Sequence, residues 1–203
     1  MHASQVGGPT ILLNNGVNFP IIGLGTFMAT EGDCKANVIE AVLNAGYRSI
    51  DTATLYGNEE PIGDALQEIF ATGKVKREEL FITTKIWQAD KEDIEGDLRK
   101  SLKKLKLDYI DLYLTHWSAP KMDWEDAANP IKATPQHKVW AELERLVDAG
   151  LIKSIGLSNC TVPMLIDLLA YARIKPVLNQ IELHPYLVQP DLVALHAKLN
   201  IKV

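Results

Sequence analysis

The sequence is poor in cysteine, with only Cys34 and Cys160. A disulfide framework or a cysteine-rich metal centre needs more, so neither is expected, and a reducing cytoplasm is the simplest setting. Long apolar runs are missing as well. None approaches the roughly 20 residues of a membrane span, and the small, polar opening Met1 to Thr10 lacks the charged start and apolar stretch of a signal peptide. Basic charge is not in surplus: 21 Lys and Arg face 26 Asp and Glu, a net charge of -5, which argues against a nucleic-acid-binding surface. No GxGxxG joins the first strand to its helix. Gly23-Leu24-Gly25-Thr26 lies on the strand itself, so a Rossmann fingerprint is unsupported. Short-period repeats are absent.

What is present is an ordinary globular composition, 47% hydrophobic and 23% charged, suited to a single domain over residues 1–203. The chain opens with a hairpin signal: apolar Thr10 to Leu13, the turn residues Asn14-Asn15-Gly16, and a second short strand Val17 to Phe19 ended by Pro20. An alternation follows. Strands are expected at Ile21–Thr26, Arg48–Ala53, Leu80–Ile86, Tyr109–Thr115, Leu151–Leu157 and Val177–Leu183. Helices are expected at Cys34–Ala45, Glu59–Ala71, Asp90–Leu107, Gln136–Ala149, Thr161–Tyr171 and Asp191–Leu199. The third helix shows its apolar stripe plainly, with Ile94, Leu98, Leu102 and Leu105 at spacings of three and four. Gly46 and Gly150 stand where helices end. Between Trp117 and Pro135 lies an irregular stretch with three prolines, and Ile201–Val203 reads as a strand beginning. Near-continuous apolar strands separated by amphipathic helices mean an α/β fold with a parallel sheet covered by helices, either an open doubly wound sheet or a closed barrel.

The strands end in polar residues, where the chemistry of parallel α/β folds gathers. Asp51 ends the second strand and Tyr56 follows it; Lys85 ends the third and His116 the fourth. Ser158 and Asn159 end the fifth, and Gln180 lies on the sixth. A phenol alone is a poor proton donor at neutral pH, but an ammonium beside a phenol favours the phenolate, and a carboxylate beside the ammonium holds it charged. A histidine orients the phenol or a carbonyl oxygen. Asp51, Tyr56, Lys85 and His116 together therefore make a general acid with electrostatic support for oxyanion charge. Such a site lacks a reductant, so a hydride-bearing cofactor complements it, and Ser158, Asn159 and Gln180 have the hydrogen-bonding groups to hold a carboxamide. Taken singly, each residue has a plainer explanation: Asp51 as a cap, Tyr56 half-buried, Lys85 reaching out to water, His116 as a structural ring. Phe27, Trp87 and Trp117 follow strand ends, where aromatics pack a core or wall an apolar pocket.

These stretches carry a resemblance. Gly46-Tyr47-Arg48-Ser49-Ile50-Asp51-Thr52-Ala53, continuing to Tyr56-Gly57-Asn58-Glu59 and Gly63, resembles the first signature of the aldo-keto reductases. Ile82–Trp87 is similar to their lysine strand and Asp108–Trp117 to their histidine strand, and Lys153–Asn159 and Asn179–Tyr186 complete five motifs in order. The resemblance implies a (β/α)8 TIM-type barrel with an N-terminal hairpin, and a catalytic tetrad of Asp51, Tyr56, Lys85 and His116 with Tyr56 as proton donor. It implies that Ser158, Asn159 and Gln180 bind the carboxamide of NADPH, with NADH left open, and that Gly25, Thr26 and Asp51 line the nicotinamide ribose side. It implies small-molecule aldehydes, ketones or sugars as substrates, with Phe27, Trp87 and Trp117 in their pocket. Three departures bear on substrate range: Cys160 where an aromatic is common, Ser118 where proline is common, and Phe27 where tryptophan is.

A barrel of this type runs to about 250 residues or more, whereas six strands and the start of a seventh are counted here. The expectation is an incomplete barrel from a fragment or an incomplete gene product, weakly stable alone, with the regions that hold the cofactor's pyrophosphate and adenosine beyond Val203. Two other functions compete. One is an aldolase with Lys85 forming a Schiff base, which a paired Asp51 opposes. The other is a catalytically silent cofactor-binding or interaction module.

Overall fold

Apolar pairs around the turn residues Asn14-Asn15-Gly16 form a hairpin of β1 (Thr10–Leu12) and β2 (Asn18–Pro20), antiparallel, with Thr10 opposite Pro20. The computed structural model describes residues 7–87, 93–118, 121–122, 131–132 and 134–203. After the hairpin come β3 (Leu24–Gly25), α1 (Glu31–Leu43), β4 (Ser49–Asp51), α2 (Glu59–Ala71), β5 (Phe81–Ile86), α3 (Ile94–Leu105) and β6 (Ile110–Thr115). A two-stranded antiparallel pair, β7 (Lys121–Met122) with β8 (Ile131–Lys132), precedes α4 (Gln136–Asp148). Then follow β9 (Ile152–Ser158), α5 (Val162–Leu169), β10 (Asn179–Gln180) and α6 (Pro190–Leu199).

The large sheet has the order β3-β4-β5-β6-β9-β10, every pair parallel. Neighbours in space are neighbours in sequence, each joined through a helix, which is the topology of a barrel wall and not of a sheet wound in two directions. A parallel bridge between Leu178 and Lys202 starts a further strand beside β10. The result is six strands of a (β/α)8 barrel, incomplete, as expected.

Two apolar layers build it. Between sheet and helices, Ile50, Ile82, Ile86, Tyr113, Ile155 and Leu157 pack on helix residues such as Leu66, Leu98, Leu105, Trp140 and Leu165. The predicted stripe of α3 is buried there in full, each such side chain contributing about 2 kcal/mol. Inside the barrel, Leu13 of the hairpin packs with Phe81, Leu112, Leu114, Val177 and Leu178, with Val17 and Phe19 against them. Phe19 meets Phe81 edge-on at 4.9 Å. Asn14 Nδ2 donates to Pro176 O (2.8 Å) and Asn15 Nδ2 to Ser154 Oγ (2.9 Å), so the turn itself is tied to the strand starts. The hairpin thus closes the N-terminal end of the strands and leaves their C-terminal ends for chemistry.

Some boundaries move for physical reasons. Pro20 does not end β2 but is its last residue, where a proline that donates no ladder hydrogen bond is tolerated. β3 keeps only two of the residues expected for it, because Ile21 and Ile22 face solvent. β10 is as short, because the chain turns away and His184 N donates to Leu187 O. The expected start of α3 at Asp90 lies outside the described residues; the described helix opens at Ile94, with Asp93 accepting from Gly96 N. Most of the irregular Trp117–Pro135 stretch also lies outside them. Among the described residues no helix is long and apolar enough to cross a membrane, and no group of side chains has metal-binding arrangement.

Two buried devices lock helices to the sheet. Glu59, in the first turn of α2, accepts from Thr84 Oγ1 (2.8 Å) on β5 and Ser101 Oγ (3.2 Å) on α3. Burial pushes its carboxyl above the usual range, against the pull of those hydroxyls and Lys104. Gly63 lets α2 lie against the end of α3: a Cβ there would stand 2.1 Å from Lys104 O. Because that neighbour is backbone and cannot swing aside, Gly63→Ala is expected to lower stability by about 1–3 kcal/mol despite alanine's better helix propensity. Gly32→Ala in α1, where a Cβ meets nothing within 4 Å, is the control and should be neutral or stabilising. Urea denaturation of the two variants checks this; equal midpoints would refute the packing argument.

Candidate active site

The register of the sheet sets the site. Asp51 ends β4 opposite Gly25 and Thr83, while Lys85 lies two residues further along β5, opposite Leu114. From there the Lys85 side chain reaches back over the end of β4. Its Nζ donates to Asp51 Oδ1 (2.5 Å), Thr52 O (2.9 Å) and Tyr56 Oη (3.2 Å). An ammonium has three N–H groups, and all three are spent. Lys85 is 1% exposed, so it does not reach out to water. A buried cation is tolerable only when paired and fully hydrogen-bonded, and here it is both.

Tyr56 arrives on a short 3-10 turn, Thr54–Tyr56, which Gly57 ends in the left-handed conformation (φ 70°). Thr54 Oγ1 donates to Lys85 O (3.0 Å), pinning that turn to β5. His116 follows β6; its N–H donates to Ile86 O (3.1 Å) and its carbonyl accepts from Asn159 Nδ2 (2.9 Å). The imidazole stands edge-on to Tyr56 (5.6 Å between centroids) and to Trp87 (5.2 Å). Its Nδ1 is buried without a hydrogen-bond partner among the described residues. Burial, helped by the Lys85 cation and opposed by Asp51, lowers its pKa to about 4. The ring is therefore neutral at pH 7.

The amide shelf lies on the other side of Asp51. Gln180 Nε2 donates to Asp51 Oδ2 (2.9 Å), so the carboxylate bridges the ammonium and the shelf. Ser158 Oγ donates to Gln180 O (3.0 Å), and Asn159 takes a left-handed conformation (φ 53°) with its N–H on the same carbonyl. Asn179, buried beneath, clasps both the N–H and the carbonyl of Cys160 and contacts His196 Nε2 (3.1 Å). Burial pushes the Cys160 thiol up, away from reactivity.

The aromatics divide by position. Phe27 is 5.0 Å from Tyr56, centroid to centroid, and largely exposed, so Phe27, Tyr56, His116 and Trp87 form a chain of rings over the site. Trp117 lines a neighbouring cleft of about 550 Å³ together with Asn159, Cys160 and Leu187. A cavity of about 300 Å³ inside the barrel is lined by Gly25, Asp51, Thr83, Leu112 and Gln180. The twelve residues singled out in the sequence thus lie at the C-terminal ends of the strands.

Sequence reasoning gave no role to Asn58 and Thr52, and took Thr26 only as a cofactor contact, yet these three hold the strand end in place. Thr26 gives both its N–H (3.0 Å) and its Oγ1 (2.9 Å) to Asp51 O. Asn58 Nδ2 donates to Thr26 O (2.7 Å), and its Oδ1 accepts from Thr52 Oγ1 (2.8 Å). The available signal was Thr52 directly after the polar strand end and Asn58 just before the next helix, both inside the quoted motif.

The lowered His116 pKa makes a stability prediction. A histidine whose folded pKa lies below its unfolded value contributes stability that is present above about pH 6.5 and lost as pH falls towards 4. His116→Asn should flatten the slope of stability against pH between 6.5 and 4; an unchanged slope would show that His116 is not the group responsible.

The sequence model of the aldo/keto reductase family matches residues 21–203. Aldo-keto reductase family 1 member A1 of Mus musculus is 43% identical over 203 residues, covering 93% of this chain and 61% of that protein. Aldose reductase B of Dictyostelium discoideum is 41% identical over 199 residues, covering 90% of this chain and 64% of its own length. Among solved structures, the Bombyx mori aldo-keto reductase in complex with NADP superposes with a TM-score of 0.88 at 39% identity, covering 97% of this chain and 65% of that one. The aldose reductase from Schistosoma japonicum gives 0.87 at 36% identity, covering 95% and 67%. The chain spans about three fifths of the length of the curated relatives it matches, 61% and 64% in these two cases. With its parallel strands in barrel order, its polar strand ends converging on Lys85 and this match along nearly its whole length, the chain belongs to the aldo/keto reductase family.

Proposed function

We propose that this chain carries the proton-donating site of an NADPH-dependent reductase that converts aldehydes and ketones, sugars included, to alcohols. The observation that carries the reading is the fully bonded Lys85 ammonium, with one of its N–H groups on Tyr56 Oη.

The chemistry follows from who donates to whom. Tyr56 Oη accepts from Lys85, so its own proton is free to point at a substrate carbonyl oxygen. As that proton leaves, negative charge grows on Oη beside a cation that is buried and fixed, where its effect is least screened. Asp51 pairs with Lys85 and holds it in register. His116, neutral, offers a polar ring nitrogen beside the phenol without adding charge. Phe27, Trp87 and Trp117 wall the approach with apolar surface, which suits the carbon side of an aldehyde or ketone.

The residues present fit a nicotinamide. Nothing lies within 4 Å of a Cβ built at Gly25, so a flat ring has room beside that backbone, and Gln180 of the Ser158–Asn159–Gln180 shelf is hydrogen-bonded to Asp51. Asn159 and Gln180 would hold its carboxamide, with Gly25, Thr26 and Asp51 on the ribose side. When bound, the reduced nicotinamide supplies the hydride. That the silkworm relative was solved with NADP supports this choice. The aldolase reading loses support, because a Schiff base needs a free, neutral amine and all three Lys85 donors are engaged.

The test is aldehyde-dependent NADPH oxidation, measured on the chain alone and on a chimera that supplies the remaining length of the mouse relative. Tyr56→Phe should reduce kcat by about 100-fold or more, and Lys85→Met comparably. Wild-type rates in Tyr56→Phe would sink the proposal. Cofactor binding with no turnover in either form would favour the silent binding module, and borohydride trapping of a carbonyl substrate on Lys85 would restore the aldolase.

A further inference from the structure

We infer that Asn58 is a positioning residue for this site: its buried amide locks the loop after β3 to the loop after β4 and so fixes Asp51, the Thr52 carbonyl and Tyr56 around Lys85 Nζ. The inference rests on the reductase reading and adds a residue to it.

Asn58 stands immediately before α2, the position where an asparagine ordinarily caps a helix with its side chain. It does not do so here: no side-chain cap hydrogen bond is made, and only its main-chain carbonyl accepts from Ile62 N (3.2 Å). The amide is turned inward instead, 3% exposed, and spans two loops. Nδ2 donates to Thr26 O (2.7 Å) and Oδ1 accepts from Thr52 Oγ1 (2.8 Å). Thr26 in turn donates twice to Asp51 O, and Thr52 O is one of the three acceptors of Lys85 Nζ. A closed ring thus runs Asn58–Thr26–Asp51–Thr52–Asn58, three of its links hydrogen bonds and the fourth the Asp51–Thr52 peptide bond. Two of the three Lys85 acceptors sit on it, and the third, Tyr56, is two residues from Asn58 with only Gly57 between.

The task demands this side chain. One group must donate to a carbonyl and accept from a hydroxyl on opposite sides over a short reach. Aspartate lacks the donor, leucine lacks both, and glutamine is one methylene too long. Truncation leaves Thr26 O with only the Ala29 N–H (3.1 Å) and the buried Thr52 hydroxyl without its acceptor, and the two loops, no longer tied through Asn58, relax apart. A shift of about 1 Å between proton donor and ammonium can cost on the order of 100-fold in rate without touching a binding contact.

The experiment uses whichever form shows turnover, with Tyr56→Phe alongside. Asn58→Ala and the nearly isosteric Thr52→Val are compared with the double variant, and rates are taken per folded site, counted by NADPH quenching of protein fluorescence. Asn58→Ala should lower kcat about 10- to 100-fold while leaving NADPH affinity nearly unchanged. Its solvent deuterium isotope effect on kcat should rise, because proton delivery has become slower; a loss of folded protein alone would not move that ratio. Thr52→Val should show a smaller loss, and the double variant should be no worse than Asn58→Ala, since both cut the same ring. Additive losses, an unchanged isotope effect, or a kcat per site equal to wild type would overturn the inference while Tyr56-dependent turnover kept the reductase reading. Turnover independent of Tyr56 would overturn both.

Discussion

A lysine ammonium taken out of water must find an acceptor for each of its three N–H groups, and most of the architecture around Lys85 answers that demand. One acceptor is a carboxylate, one a main-chain carbonyl and one a phenol, and they come from β4 and the turn after it. None could be supplied by the lysine's own strand. The requirement therefore fixes the stagger between β4 and β5, the length of the β4 strand and the sharp turn closed by Gly57. A polar cluster built this way is rigid because it is buried and fully bonded, so its groups are already in place and need not rearrange to meet a ligand.

The two ends of the strands are treated differently. At one end the hairpin inserts Leu13 and Phe19 against the lowest inward-facing layer and caps it with two asparagine amides. At the other end the inward residues become polar, and their hydrogen bonds run between loops and across the barrel between strand ends instead of along the ladder. Stability and chemistry are segregated along the barrel axis, so loop residues near the site can serve function while the apolar layers beneath carry the fold.

Much of this was legible in the sequence. The strand and helix alternation, the stripe of α3 and the glycines after α1 and α4 follow from local periodicity and backbone preference. The polar strand ends could be found because a parallel fold sends its strand termini to one place. What could not be read was who partners whom. Nothing local distinguishes Asn58 the helix cap from Asn58 the bridge, because the difference lies in Thr26, 32 positions away. Likewise Lys85 looked able to reach water until the loops that enclose it were in place. Short β3 and β10 were overestimated because apolar residues beyond them, such as Ile22 and Leu183, remain exposed and are not drawn into the ladder.

The hydrogen bond from Gln180 to Asp51 joins strands that are 129 positions apart and are not neighbours in the sheet. Because the same carboxylate holds Lys85, whatever engages the Gln180 amide also alters the strength of the Asp51–Lys85 pair, and through it the hydrogen bond to Tyr56. Thermodynamic linkage then runs in both directions. A ligand that draws Gln180 away from Asp51 concentrates the carboxylate's charge on Lys85, and the factor by which it strengthens the Asp51–Lys85 pair is the factor by which the formed pair strengthens its binding. Occupancy of the shelf and the strength of the Asp51–Lys85 pair are two readings of a single equilibrium.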